Sequence, residues 1–188
     1  MGTRRMTGAL TLIWLASLTG WLAWLILGLG MQAQIAVPLG LALGLVAAIL
    51  LRDTLPLRGA VALLGPIGAV LPFVILRQMA GDLGLPIAPF GSLELLVFLG
   101  LYTAFLASAA GALPVDLYRL GYAPIPVAAF VLALCAHGLA QGMVFVPLLA
   151  VTGQAMWVMG WGSSNYFDHI LHPALVPAVA LVLLLRLF

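Results

Sequence analysis

The stretch "GWGSSNYFDHILHP", residues 160–173, gathers Ser163, Ser164, Asn165, Asp168, His169 and His172 into one window of a chain otherwise built largely from Leu, Ala, Val and Gly. His169 and His172 are three positions apart and Asp168 and His172 four, so on a helix they share overlapping faces. Two imidazoles and a carboxylate so spaced suit three kinds of chemistry: holding a divalent metal, orienting one another for proton transfer, or gripping an anion when protonated. Asp168, His169 and His172 are the candidate metal ligands. The window also has a purely structural use. Asn165 and Asp168 have the spacing of a helix N-cap and a third helical position, which satisfies orphan amides and sets a carboxylate at the positive end of the helix dipole.

A second polar group lies deeper. His137 is expected about 12 residues into an apolar run, roughly 18 Å along a helix axis, with Gln141 one turn further on the same face. Beside Gly138 and Gly142 the two could form a helix–helix hydrogen-bond pair. Alternatively they form the floor of a cavity rimmed by Glu94, Asp168, His169 and His172, with hydroxyls from Tyr102 and Tyr166. The candidate ligand-binding residues are thus His137, Gln141, Glu94, Tyr102, Asn165 and Tyr166. Cys135, the single cysteine, is two positions from His137 and so on a different helical face, which argues against a Cys–His dyad. It also leaves no partner for a disulfide.

The elements that must position these groups follow from composition. Of 188 residues, 65% are hydrophobic and 6% charged, and the mean hydropathy of +1.25 exceeds what a water-facing surface tolerates. The chain belongs in a bilayer. There is no Lys, so the net charge of +2 rests on seven Arg against five acids, too thinly spread for a nucleic-acid-binding patch.

Crossing about 30 Å of hydrocarbon takes about 20 apolar residues, and such runs occupy about 8–29, 35–51, 57–77, 91–112, 125–149 and 167–187. The expectation is an all-α polytopic membrane protein, a single bundle of six transmembrane helices over 1–188. Arg4, Arg5, Arg52, Arg58, Arg119 and Arg186 then share one face and Arg77 lies on the other, which puts both termini in the cytoplasm. Glu94, Asp168, His169 and His172 fall toward the outside. The first run is too long for a cleaved signal peptide and is read as an anchor. Residues 150–161, with Trp157 and Trp161, are expected as a re-entrant or interfacial segment.

Small residues recur at four-residue spacing: Ala16 and Gly20, then Gly40, Gly44 and Ala48, then Gly100, Ala104 and Ser108, then Gly138 and Gly142. Such ridges let helices approach closely within the bundle or in an oligomer. Pro66 and Pro72, and Pro173 and Pro177, are expected to kink the third and sixth spans and to free carbonyls that line a cavity.

Three functions are weighed. The first is an inner (plasma) membrane subunit that binds or transports a small solute or metal ion through an external cavity, working with partner subunits or as a homo-oligomer. In size and topology alone this plan is similar to the substrate-capturing subunits of vitamin and metal uptake systems. The second is a subunit of a respiratory or photosynthetic redox complex, with His137 contacting haem, pigment or quinone. The third is an intramembrane metal-dependent enzyme. The segment "CAHGLAQG" is similar to the histidine helix of rhomboid proteases, but the small-flanked serine motif of that family is missing. The residues name no cofactor, and without a nucleotide-binding loop in this chain active transport requires a partner or an ion gradient.

Overall fold

Uninterrupted apolar runs leave backbone amides and carbonyls no partners in a bilayer except one another, which selects helices. The computed structural model describes residues 2–64, 68–88 and 90–187, and among them every regular element is helical. Four stretches are long and apolar enough to cross a membrane: Gly8–Leu27, Ala33–Leu51, Ser92–Ala109 and Phe167–Leu184. Outward-facing side chains agree with that medium. Leu50 is 73% exposed and Leu101 69%, large apolar surface that water would penalise. The chain divides into two compact units, Met1–Ile87 and Ala88–Phe188.

The first unit contains α1 (Gly2–Leu27), α2 (Ala33–Leu51), α3 (Leu55–Leu64) and α4 (Val70–Asp82). Its centre is the crossing of α1 and α2, where the predicted small-residue ridges are used. A Cβ placed on Gly40 would lie 2.8 Å from the Trp24 amide nitrogen, and one on Gly44 2.8 Å from the Ala16 carbonyl oxygen. Neither helix could carry a larger side chain there without separating. The close approach lets Thr19 donate across the crossing to the Gly44 carbonyl at 2.8 Å. Trp14, Leu15 and Ala48 pack at one end of the crossing, and Trp24, Ala36, Val37, Ile75 and Met79 at the other.

The run expected as one third span is two helices. Pro66 lies outside the described residues. Pro72 is the third residue of α4, where its missing amide is one of the helix's orphan donors and costs no intrahelical bond. It opens a helix rather than kinking one.

The second unit contains α5 (Ser92–Ala109), a 3-10 helix (Leu117–Tyr122), α6 (Pro124–Ala140), α7 (Phe145–Val158), the short α8 (Phe167–Ile170) and α9 (Leu175–Leu185). Where one span over 125–149 is expected, the helix stops at Ala140 and a new one starts at Phe145. The stop is local chemistry: Gly142 takes a positive φ of 64°, and Met143 N donates back to Gly138 O at 2.8 Å. That is a glycine-based helix C-cap, in which reversed backbone satisfies otherwise orphaned carbonyls. The same closure recurs at Gly111 and Gly160, where Ala112 N reaches Ala107 O and Trp161 N reaches Met156 O, each at 2.9 Å. Gly142 therefore ends a helix instead of packing one, while Gly138 does pack, since a Cβ there would strike Pro147. Of the ridge on α5, Gly100 has open space around it and only Ser108 is buried.

The direction of each helix follows from contacts at its ends. Arg186 donates to Ser92 Oγ at 3.0 Å and to Phe90 O at 2.8 Å, and Phe90 meets Phe145 edge to face at 5.5 Å. The start of α5, the α6–α7 turn and the end of α9 thus share one end of the unit. The 3-10 helix and the loop 159–166 share the other, because Tyr166 N donates to Gly121 O at 3.0 Å. Four legs alternate in direction: α5, α6, α7, then α8 with α9. The expected sidedness is corrected for this unit, since Arg186 and Ser92 were assigned to opposite faces and are hydrogen-bonded. An unbroken fifth span reverses every later leg, and the turn at Gln141–Val144 restores them.

Two outcomes test these arrangements. With Cys135 replaced, cysteines at Gly91 and Leu187 should label from one side of the membrane and cysteines at Leu113 and Gly162 from the other. Gly44→Val should lower thermal stability in detergent by about 1–3 kcal/mol, the scale of an overpacked contact.

Candidate functional site

The polar window folds into a turn between α7 and α8, held at the end of the second unit opposite Arg186. Asn165 organises it. Fully buried, its Oδ1 accepts from Phe167 N at 2.9 Å and its Nδ2 donates to Tyr118 O at 2.8 Å. The first bond is a side-chain turn that starts α8, the second clamps the turn to the 3-10 helix. The expected N-cap is corrected: Tyr166 holds that position without a side-chain cap bond, Asp168 is the second helical residue, and Asn165 sits one residue before the cap. A methyl group on Gly121 would collide with Asn165 Oδ1 and stand 2.7 Å from Phe167 Cδ2, so only glycine permits this approach.

Asp168 turns away from the capping role toward the 3-10 helix. Both of its carboxylate oxygens accept from the Tyr118 hydroxyl at 3.0 Å, and Oδ2 also accepts from Ser163 Oγ. Ser163 Oγ in turn accepts from Asn165 N at 3.0 Å. Burial first, then neighbouring Tyr122 and Asp168, raise the Tyr118 phenol above its ordinary pKa of 10.0. The hydroxyl remains a donor to the carboxylate well into alkaline conditions. Burial likewise raises the Tyr166 phenol, whose hydroxyl donates to Ala150 O at 3.2 Å. Trp157 Nε1 donates to Ser164 O at 2.8 Å, tying the end of α7 to the loop.

His169 is fully buried against α7, and Gly153 is the reason it fits: a Cβ there would lie 3.5 Å from His169 Cβ and would strike Ile170. Its Nε2 is 3.1 Å from Ser163 O. A carbonyl accepts only, so Nε2 carries the proton and Nδ1 presents a bare lone pair. Among the described residues Nδ1 has no hydrogen-bond partner. His172, also buried, uses Nδ1 to accept from Ala174 N at 3.2 Å, in the break between α8 and α9 that contains Pro173. Pro177, third in α9, begins that helix as Pro72 begins α4.

The sequence-predicted residues divide between the two ends of the unit. Asn165, Tyr166, Asp168, His169 and His172 come together. Asp168, His169 and His172 each face different partners, and among the described residues no three His, Cys, Asp or Glu side chains are placed to hold a metal ion. Tyr102 is buried within an aromatic array in which it meets Phe98 and Phe105, and Phe105 meets Phe167 at 4.8 Å. Glu94 lies at the opposite end, where its carboxylate accepts from Gly91 N at 3.3 Å at the start of α5.

His137 and Gln141 are also at that far end, and both are exposed. The deep position expected for His137 is corrected: it sits in the last turn of α6, because the helix ends at Ala140. A floor of His137 and Gln141 beneath a rim of Asp168, His169 and His172 is therefore not assembled, nor is an imidazole pair between His137 and either of the others. Tyr118 and Gly121 are the site residues that sequence reasoning missed. A crossing count that set residues 116–119 and 163–168 on opposite faces hid their meeting. No known protein family, curated protein or solved structure matches this chain, so the site must be read from its own chemistry.

The Tyr118–Asp168 bond yields a prediction. Tyr118→Phe should cost about 1.5–3 kcal/mol in detergent, the scale of a hydrogen bond to a charged group, and its effect should not add to that of Asp168→Asn. A raised phenol pKa contributes stability in full below pH 10 and loses it as pH rises through the elevated value. Alkaline thermal melts of Tyr118→Phe should therefore lack part of the wild-type decline.

Proposed function

We propose that the protein is an integral membrane subunit that binds a small solute, for uptake or transport with partner subunits, at the end of the second unit formed by the 3-10 helix and residues 159–174. The observation that carries this reading is the buried His169 Nδ1. An acceptor so enclosed costs about 1–3 kcal/mol while it lacks a donor, and a solute carrying an N–H or O–H group removes that cost. The surrounding groups favour such a solute. Asp168 adds further acceptor capacity on the neighbouring residue, and its donor Tyr118 belongs to a chain of ring contacts with Phe105, Tyr122, Phe130, Tyr166 and Phe167. Apolar walls with a few convergent polar atoms are the usual composition of small-molecule sites.

In the first unit the arginines also give a direction. Arg4, Arg5, Arg52 and Arg58 lie at the start of α1 and around the α2–α3 turn, and the positive-inside tendency sets that end in the cytoplasm of a plasma membrane. In the second unit Arg119 and Arg186 occupy opposite ends, so arginine count gives it no direction.

Native mass spectrometry of the gently purified full chain is the test. A stoichiometric small organic mass should accompany the wild type. His169→Gln preserves a donor toward Ser163 O while deleting the Nδ1 lone pair, so it should retain less than about a tenth of that mass, matching the loss of one hydrogen bond, with an unchanged circular dichroism spectrum. Equal retention by wild type and variant overturns the assignment of the site, and a wild type without any bound mass after mild extraction overturns solute capture there.

A further inference from the structure

The first unit holds a recess that the polar window does not explain. It lies where α1 begins and α2 passes into α3, encloses about 410 Å3, and is lined among others by Thr11, Leu12, Leu15, Arg52, Arg58 and Val61. One side carries Thr11, Arg52 and Arg58 together with the Asp53 carboxylate and is positive on balance; the other is aliphatic. Arg52 is partly offset by Asp53, Nε to Oδ2 at 3.5 Å with both side chains well exposed, whereas among the described residues no carboxylate pairs with Arg58. The recess also extends along α1. Gly8, Thr11, Leu12 and Leu15 follow helical spacing on one stripe.

Its place in the fold says what it meets. Gly8–Leu27 and Ala33–Leu51 are both long and apolar enough to cross a membrane, and the recess lies between the first two turns of one and Arg52 and Asp53, which directly follow the other. That is headgroup depth, where a phosphate lies beside the beginning of an acyl chain. A free anion would use the arginines but leave Leu12, Leu15 and Val61 uncovered, and a zwitterionic lipid would cover the leucines and offer a phosphate but bring its own cation beside Arg52 and Arg58. A phospholipid of net negative charge satisfies both sides, and basic pockets of this kind between transmembrane helices suit anionic headgroups.

We propose that this recess is a binding site for one anionic phospholipid, its phosphate held by Arg52 and Arg58 and its proximal acyl carbons against Leu12, Leu15 and Val61. The inference is independent of solute binding in the second unit.

The test uses the full chain in detergent, titrated separately with phosphatidylglycerol, phosphatidylcholine and inorganic phosphate, with bound lipid counted by native mass spectrometry. One phosphatidylglycerol should be retained in preference to phosphatidylcholine, and inorganic phosphate should not displace it. Arg58→Gln should weaken retention about fivefold, and the Arg52→Gln/Arg58→Gln pair about twenty-fivefold, on the usual contribution of a basic residue near an anionic membrane surface. Ala62→Phe fills the apolar side without changing charge and should release the lipid as well. Equal retention of both lipids, retention undiminished in these variants, or displacement by inorganic phosphate alone would each overturn the proposal.

Discussion

The second unit depends on the Asn165 amide. One planar group satisfies the Phe167 amide that starts α8 and grips the Tyr118 carbonyl of the 3-10 helix, at 2.9 and 2.8 Å. Nothing apolar could replace it, because both backbone groups are removed from water and each would otherwise go unpaired. With the two segments clamped, Tyr118 reaches Asp168 and Ser163 closes the other side of the carboxylate. Gly121 and Gly153 contribute by what they lack, leaving room for Asn165 and for the turn carrying His169. A polar network confined to one end of an apolar unit is itself a statement of depth, since only near an interface can its outer members also meet water.

A second constraint acts on the helix ends. In hydrocarbon an unpaired carbonyl has no water to turn to, so each helix that stops must close itself. Glycines at positive φ do this after α5, α6 and α7, and prolines open α4 and α9 at positions where no amide is needed. These terminators set the number of legs and hence their direction. The first unit obeys a simpler rule, in which glycine against backbone brings α1 and α2 together and tryptophans fill the wider ends of the crossing.

The juxtaposition of His169 and Asp168 gives the second unit its chemical character. The imidazole is fixed in one tautomer by Ser163 O, and the carboxylate is already supplied with donors from Tyr118 and Ser163. These bonds hold both side chains in one orientation. Among the described residues the buried His169 Nδ1 is left without a hydrogen-bond partner.

The sequence by itself determined the helical class, the α1–α2 ridge and the window in which the polar network lies; it marked six membrane-length runs, of which four are that long in the structure. Those properties are local or periodic: hydropathy over about 20 residues, small residues every fourth position, and polar residue types gathered in one short window. The tertiary structure alone decided that 125–149 is two helices and that His137 ends one of them. It also brought Arg186 to Ser92 and Tyr118 to Asp168, 50 positions away in the chain. The physical reason is parity. Hydropathy measures whether a segment prefers lipid but not where a glycine turns the chain back, and one missed turn reverses every later helix. Which loops meet, and therefore which side chains make a site, follows from that count.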